Sequence, residues 1–218
     1  MKSFLVIGLG RFGKHLAMQL AQNHNEVMAV DQDESCVNSV MDQVTSAQIG
    51  DCKDEHVLAA LGVGNFDVCF VCIGSDFQSS LEITSLLKDM GAKYVVSKAG
   101  RDIHAKFLLR NGADEVLYLE KDMARRTAVR FSANHVFDYV EIGPEYAIVE
   151  IETPNNWVGK TIGELGVRTV YGINIVAVKL PNGRVNALPG PNYLCSSAEH
   201  LIIACNRKEA VKFLNRRN

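Results

Sequence analysis

Proline is missing from the first 143 residues of this 218-residue chain and then occurs five times. Its absence leaves the longer first part free to alternate helix and strand. Its later use signals a change of architecture. No apolar run reaches the roughly 20 residues needed to cross a bilayer, and Met1-Lys2 leads straight into a strand pattern in place of a signal peptide. The expectation is a cytoplasmic protein. Charge of one sign is also lacking: the net charge is −2, which argues against nucleic-acid binding by bulk electrostatics. The basic stretch 207–217 reads as a solvated helix face. Six cysteines show no disulfide framework. Cys69 and Cys72 have redox-motif spacing, but they lie in an apolar strand, where residues three apart point to opposite faces. The histidines show no metal-ligand spacing. Beyond residue 140 there is no Ser/His/Asp arrangement, and the only histidine there, His200, directly precedes an apolar strand.

The most informative stretch is 4–13, Phe-Leu-Val-Ile-Gly-Leu-Gly-Arg-Phe-Gly. An apolar strand runs into Gly8, Gly10 and Gly13, and an amphipathic helix follows, as in a dinucleotide-binding βαβ unit. Gly8 permits the tight turn. Gly10 lets a phosphate approach the backbone, and Gly13 lets the helix lie close to the sheet. The helix N-terminus then offers unpaired N–H groups to an anion. About twenty residues on, Asp31 ends the next strand, placed to accept from ribose hydroxyls. That carboxylate disfavours a 2′-phosphate, and so NADP.

Strand and helix patterns alternate to about residue 120. Strands are expected at 4–7, 27–30, 47–49, 68–73, 94–97 and 116–119. Helices are expected from 12, 35 and 57, up to 87 and over 103–110. The predicted fold class is α/β, a Rossmann-like doubly wound parallel sheet with a small C-terminal α+β lobe. Ligands of such sheets sit at the strands' carboxyl ends, here Gly8, Asp31, Asp51, Gly74, Lys98 and Glu120. Turn preference alone accounts for part of Asp51 and Gly74. Residues 122–134 read as a helix with Met123, Thr127 and Phe131 on one side. Strands follow at 136–142, 147–151, 173–180, 184–187 and 201–205, with a capping box at Thr161 and Glu164 and a terminal helix over 207–215. The expected division is a nucleotide-binding domain over 1–121, a crossover helix and linker over 122–139, and a second domain over 140–218.

Binding without turnover suits these residues better than catalysis. No catalytic constellation accompanies the glycine turn, so no catalytic residue is assigned. Lys98 and His104 could serve proton transfer, but contact with the nucleotide is the preferred reading. Arg11 sits inside the glycine turn, where a guanidinium can fork onto phosphate oxygens. A cation at a helix start is unfavourable unless an anion is near.

Gly-Leu-Gly-Arg-Phe-Gly at 8–13, Val-Asp at 30–31, Ile-Gly-Ser at 73–75, Lys98-Ala99, Ala113-Asp114 and Glu120-Lys-Asp-Met123 together resemble the RCK (TrkA-N) domain of bacterial potassium-uptake regulators, most nearly the Ktr-type cytosolic subunit. The stretch 167–178 is similar to the family's TrkA-C module. The resemblance implies a homodimer assembling into a homo-octameric ring, peripheral on the inner membrane face through an integral-membrane potassium-translocating subunit. ATP would activate and ADP inactivate, with NAD(H) a possible ligand of the same site. Carried over, that site comprises Gly8, Gly10, Arg11, Phe12, Gly13, Asp31, Gln32, Asp33, Asp51, Cys52, Ile73, Gly74, Ser75, Lys98, Ala99, Gly100, His104 and Glu120. Arg11 would reach a γ-phosphate across the dimer. Glu120 would help hold Mg2+ or another cation between two nucleotides. The family's C-lobe can bind cyclic di-AMP, and the matching positions are Arg168, Asn174, Ile175 and Pro191. Asn192 stands where the family often has an acid. The competing class is a small NAD-dependent oxidoreductase or NAD(H) redox sensor.

Overall fold

A computed structural model describes residues 1–74, 76–132, 136–143 and 145–206. The chain divides into two compact units, Met1–Lys121 and Asp122–Asn218. Ser75 and the expected terminal helix over 207–215 lie outside the described residues, as does the end of the helix expected to reach Asn134.

The first unit alternates β1 (Ser3–Ile7), α1 (Arg11–Gln22), β2 (Glu26–Asp31), α2 (Glu34–Asn38), β3 (Ser46–Ile49), α3 (Glu55–Leu61), β4 (Val68–Val71), α4 (Phe77–Asp89), β5 (Val95–Lys98), α5 (Asp102–Arg110) and β6 (Glu115–Leu117). The six strands form one sheet in the order β3-β2-β1-β4-β5-β6, and every pairing is parallel. The central strand β1 is apolar throughout because helices cover both faces. Leu5 and Ile7 pack into one core with Val30, Leu58, Val71 and Leu87. Phe4 and Val6 pack into the other with Leu9, Ala17, Val27 and Ala29. Leu5 is fully buried, so Leu5→Ala costs about 2–5 kcal/mol. Cys69 and Cys72 fall into the two different cores.

The order in which strands are added reverses between β1 and β4. The strand order grows outward through β2 and β3, then returns to the other side of β1. That switch point opens a crevice beyond the carboxyl ends of the strands.

The sequence places the last parallel strand at 116–119, but β6 stops at Leu117 and α6 begins at Leu119, running to Ser132. β6 is an edge strand that pairs only with β5, and β5 ends at Lys98. No neighbour remains to continue the ladder. The following Leu-Glu-Lys-Asp-Met-Ala-Arg-Arg is rich in good helix formers. Glu120 therefore lies in the first turn of a helix and not at a strand end.

The second unit holds β7 (Val136–Ile142), β8 (Tyr146–Glu152), α7 (Ile162–Leu165), α8 (Val167–Tyr171), β9 (Ile173–Lys179), β10 (Val185–Asn186) and β11 (His200–Asn206). These strands make an antiparallel sheet in the order β10-β9-β11-β8-β7. Alternate residues of β8 and β11 are buried, around Trp157, Ile151, Ile173, Leu201 and Ile203. Both reciprocal bonds of the Thr161–Glu164 capping box are present. The short helix α8 is held between Gly166 and Gly172, both at positive φ (54° and 66°). On α6 the side expected to be apolar is open: Met123 is 59% and Phe131 75% exposed. Val129 is the α6 residue that packs on this core.

Candidate functional site

A cleft of about 610 Å3 occupies the switch-point crevice. Its walls include Gly8, Gly10, Arg11, Phe12, Asp31, Gln32, Asp33, Asp51, Cys52, Ile73, Gly74, Lys98 and Glu120. Residues as far apart as Gly8 and Lys98 thus converge because every parallel strand ends at the same rim.

The glycines shape its floor. Gly8 has φ +89°, and a Cβ there would meet Ile73 Cγ1 at 3.0 Å. At Gly13 a Cβ would fall 1.9 Å from the Gly8 carbonyl oxygen, so α1 can approach the strand only with glycine there. A Cβ on Gly10 would meet nothing within 4 Å, leaving that backbone open. Asp31 braces the turn: its Oδ2 accepts the Leu9 N–H at 2.6 Å and its Oδ1 accepts the Asp33 N–H at 2.9 Å.

The helix starts facing the cleft differ. The Asp33 side chain caps α2, and Asp76 caps α4 through Ser79. The start of α1 has Gly10 at its N-cap, no side-chain cap and no acid in its first turn. Its first N–H groups have no intrahelical partner, and the helix dipole there is uncompensated. An oxyanion fits this end of the cleft and is repelled at the other two.

The cleft holds five carboxylates, from Asp31, Asp33, Asp51, Asp76 and Glu120, and three cations, from Arg11, Lys53 and Lys98. Lys53 pairs with Asp51 at 3.6 Å. Lys98 pairs with Glu120 at 3.1 Å, and the lysine is the more enclosed of the two. Glu120's carboxyl is held below its usual range, first by its own backbone N–H, then by Lys98, with Arg11 adding to the effect. Among the described residues Arg11 has no ion pair. Burial pushes the Cys52 thiol up to about 12, with Asp51 and Asp31 adding to it. Burial does the same to Cys72, against a weak opposing pull from Lys98. Both are uncharged wall atoms.

Gly13, Ala99 and His104 are buried behind this surface, and Gly100 is exposed but does not line the cleft. His104 is 2% exposed, and burial, helped by the charge of Arg101, pulls its imidazole down from the usual range. The neutral ring accepts the Gly100 N–H at Nδ1 (3.4 Å) and faces the Ser80 hydroxyl with Nε2 (3.2 Å). It sits under the loop after β5 and does not line the cleft. Lys53, Asp76, Ser79 and Cys36 line the cleft without having been singled out from sequence. The Asp76–Ser79 cap spacing was the readable signal for two of them.

In the second unit, Arg168 Nε donates to Asn174 Oδ1 at 2.8 Å, so these two candidates meet. Ile175 is 8% exposed and belongs to the core. The Pro191 carbonyl accepts the Gly163 N–H at 2.7 Å.

A parallel sheet of this order, with an uncapped first helix over a glycine turn and an acid ending β2, defines a Rossmann-type domain, here followed by a small antiparallel lobe. Family models divide the chain in the same sense: the TrkA-N domain matches residues 4–119 and the TrkA-C domain residues 146–216. The chain belongs to the TrkA-N/TrkA-C family. It is 44% identical over 178 residues to Ktr system potassium uptake protein C of Bacillus subtilis (strain 168), covering 82% of this chain and 80% of that protein. It is 36% identical over 214 residues to Ktr system potassium uptake protein A of the same organism, covering 98% and 96%. The fold is similar to that of a GsuK channel solved bound to NAD, with TM-score 0.71 and 19% identity over 98% of this chain. This chain spans 39% of that channel chain.

Proposed function

We propose that this chain is a cytosolic, non-catalytic regulatory subunit that senses nucleotide and gates a membrane potassium-translocating partner. The nucleotide lobe is 1–121, the crossover segment 122–139 and the second lobe 140–218. Copies form dimers and then an octameric ring, peripheral on the inner membrane face through the partner. The identity to Ktr potassium uptake proteins over most of the chain supports the transport role. The observation that carries the nucleotide reading is the open N-terminus of α1 beside Asp31 and the unpaired Arg11.

Asp31 and Gln32 hold the ribose, the Gly8–Gly13 turn and α1 hold the inner phosphates, and Asp51 and Cys52 flank the base. Ile73, Gly74 and Lys98 form the opposite wall, with His104 accepting the Gly100 N–H next to it. ATP favours the active ring and ADP the inactive one. ATP and ADP differ only in the terminal phosphate, so a residue must engage that phosphate in one state and lose it in the other. Arg11 is the cleft cation free to do so, within its own protomer or across the dimer. With five acids against three cations, the cleft favours a polyphosphate accompanied by a cation such as Mg2+. Glu120 is the carboxylate at the rim that would share it, exchanging its bond to Lys98. NAD(H) shares the ribose and diphosphate and competes for the same groups. In the second lobe, cyclic di-AMP would take the cation and amide of the Arg168–Asn174 pair, with Ile175 and Pro191 the further candidates.

The test is calorimetry with ATP, ADP, NADH and cyclic di-AMP on the assembled ring, with NADH oxidation followed in the same preparation. Arg11→Ala is expected to lose about 1–3 kcal/mol of ATP binding, the range of a charge-assisted contact, and much less of ADP binding. Equal losses overturn the discrimination by Arg11. Sustained NADH turnover overturns the non-catalytic reading.

A further inference from the structure

A second cleft, of about 420 Å3, lies wholly within the second unit, between α6 and the sheet face built by β7, β8, β9 and β11. Strand register sets its charge. Asp138 on β7 stands opposite Glu150 on β8, and His200 on β11 opposite Lys179 on β9. Two neighbouring carboxylates repel, and burial by itself would raise Glu150's pKa. Bonds from His200 and Lys179 to Glu150 Oε1, at 2.7 and 2.9 Å, more than offset that and keep it anionic. Arg126 forks onto both oxygens of Asp138, at 2.7 and 2.8 Å, and this holds Asp138 below its usual range.

The acids are therefore hydrogen-bonded, and the lining carries one more cation than acids. Arg130 lines the same cleft; its charge acts on Asp138 from a distance, but among the described residues its guanidinium donates to no carboxylate. Its guanidinium lies 5.2 Å from the Phe131 ring centroid. The surplus is one positive charge: Arg126, Arg130 and Lys179 against Asp138 and Glu150. Beside it lies apolar surface. The Phe137 ring stacks on His200 at 3.9 Å and 22°, yet stays 42% exposed, and Met123 is 59% exposed. A concave surface with unbalanced charge attracts an ion of opposite sign, and the adjacent aromatic and thioether surface can cover an apolar body.

We propose that this cleft is a second ligand site, separate from the strand-end crevice, and that it takes a small organic carboxylate with a compact apolar body. The carboxylate forks onto Arg130, and the body lies on Phe137 and Met123. The planar fork of an arginine matches a carboxylate in two parallel bonds. The site does not depend on the nucleotide reading, because every residue that forms it lies in the other unit.

Crystals of the full chain soaked in 4-bromobenzoate test it, with the bromine located by its anomalous signal. A parallel soak in selenate tests for a bare oxyanion. The expected result is bromine over Phe137, with the carboxylate on Arg130 and no bromine there in Arg130→Gln crystals. In solution, Arg130→Gln is expected to weaken 4-bromobenzoate by about tenfold or more, the loss of one charge-assisted fork, with ATP affinity unchanged. Selenate on Arg130 without bromobenzoate overturns the carboxylate assignment. Neither ligand in the cleft, or bromobenzoate retained in Arg130→Gln, overturns the site.

Discussion

The two sheets of this chain use opposite geometries to gather polar residues. In the parallel sheet all strands end at one rim, so Asp31, Lys98 and the loops after β1, β3 and β4 meet in a single crevice. Both faces are sealed by helices, and strand interiors are left to core residues such as Leu5, Val6 and Val71. In the antiparallel sheet, neighbouring strands end at opposite edges, so no common rim exists. Polar groups collect instead on one face, where Asp138, Glu150, Lys179 and His200 stand in register. A parallel sheet gathers ligands by strand direction, and an antiparallel sheet by side-chain alternation.

The sharpest way to break the comparison is to jam the parallel lobe alone. Gly13→Ala puts a Cβ where only 1.9 Å separates it from the Gly8 carbonyl oxygen. The first unit should lose about 3 kcal/mol or more, as expected when backbone must shift to relieve overpacking. Trp157 is the chain's single tryptophan and is 1% exposed in the other core. Its fluorescence therefore reports the antiparallel lobe. Circular dichroism should show an early transition in Gly13→Ala while the Trp157 melt stays where it was. A common shift in both signals would mean that the lobes unfold as one.

Asp31→Ala comes next. It removes the acceptor of the Leu9 N–H as well as the proposed ribose contact. ATP and ADP should both bind about 1–3 kcal/mol more weakly, and Asp31→Asn should recover part of the loss. Calorimetry showing equal affinity in Asp31→Ala would leave the carboxylate a brace for the glycine turn and nothing more.

Acid should act on the other lobe through its sheet face. Burial works to raise Glu150, but His200 and Lys179 bring it below its ordinary 4.5. The Arg126 bond brings Asp138 below its ordinary 3.8. Folded values lie below unfolded ones, so this stabilisation is complete above about pH 4.5 and is lost as pH falls through the folded values. Chemical denaturation followed at Trp157 should show stability steady down to about pH 4.5 and declining below it. Glu150→Gln should flatten part of that decline. An unchanged slope in the variant would place the acid response elsewhere.

Much of this was legible because strand patterns in a buried parallel sheet are blunt signals. Phe4–Ile7, Val27–Val30 and Val68–Ile73 are continuous apolar runs ended by glycine or acid. The expected extension of the third to Ile73 overshot the strand, although the Cys72 N–H still bonds the Ile7 carbonyl at 2.8 Å. What sequence hides is direction within a helix and the point where an edge strand runs out of partners. His104 carries the residue type of a ligand contact, yet its position on α5 turns it inward to Ser80. Glu120 follows an apolar run like a strand end, but β6 stops when β5 does. Helix α8, rich in β-branched Val167, Thr169 and Val170, carries no helix pattern of its own. The positive φ of Gly166 and Gly172, invisible in composition, closes it into a turn of helix.

The smallest effect on stability should accompany the most specific effect on control. Glu120 is paired with Lys98 at the cleft rim, with its side chain 63% exposed. Exposed pairs are worth roughly 0–1 kcal/mol, so Glu120→Gln should barely move either melt. The amide can still accept from Lys98, but it carries no charge for a cation shared with a terminal phosphate. ADP has no such phosphate, and its affinity should be nearly unchanged, while the ATP response of a reconstituted potassium-translocating complex should fall. A bias of about 1.4 kcal/mol per site is tenfold, and several coupled sites would multiply it, so losing it at every site of a ring should be plain in the flux ratio. Lys98→Met separates the causes. It removes the partner and leaves the carboxylate, so the ATP response should survive if Glu120 acts on a cation. If Glu120→Gln keeps the full ATP-to-ADP flux ratio, its carboxylate is only the counter-ion of Lys98. Discrimination then rests on Arg11 alone.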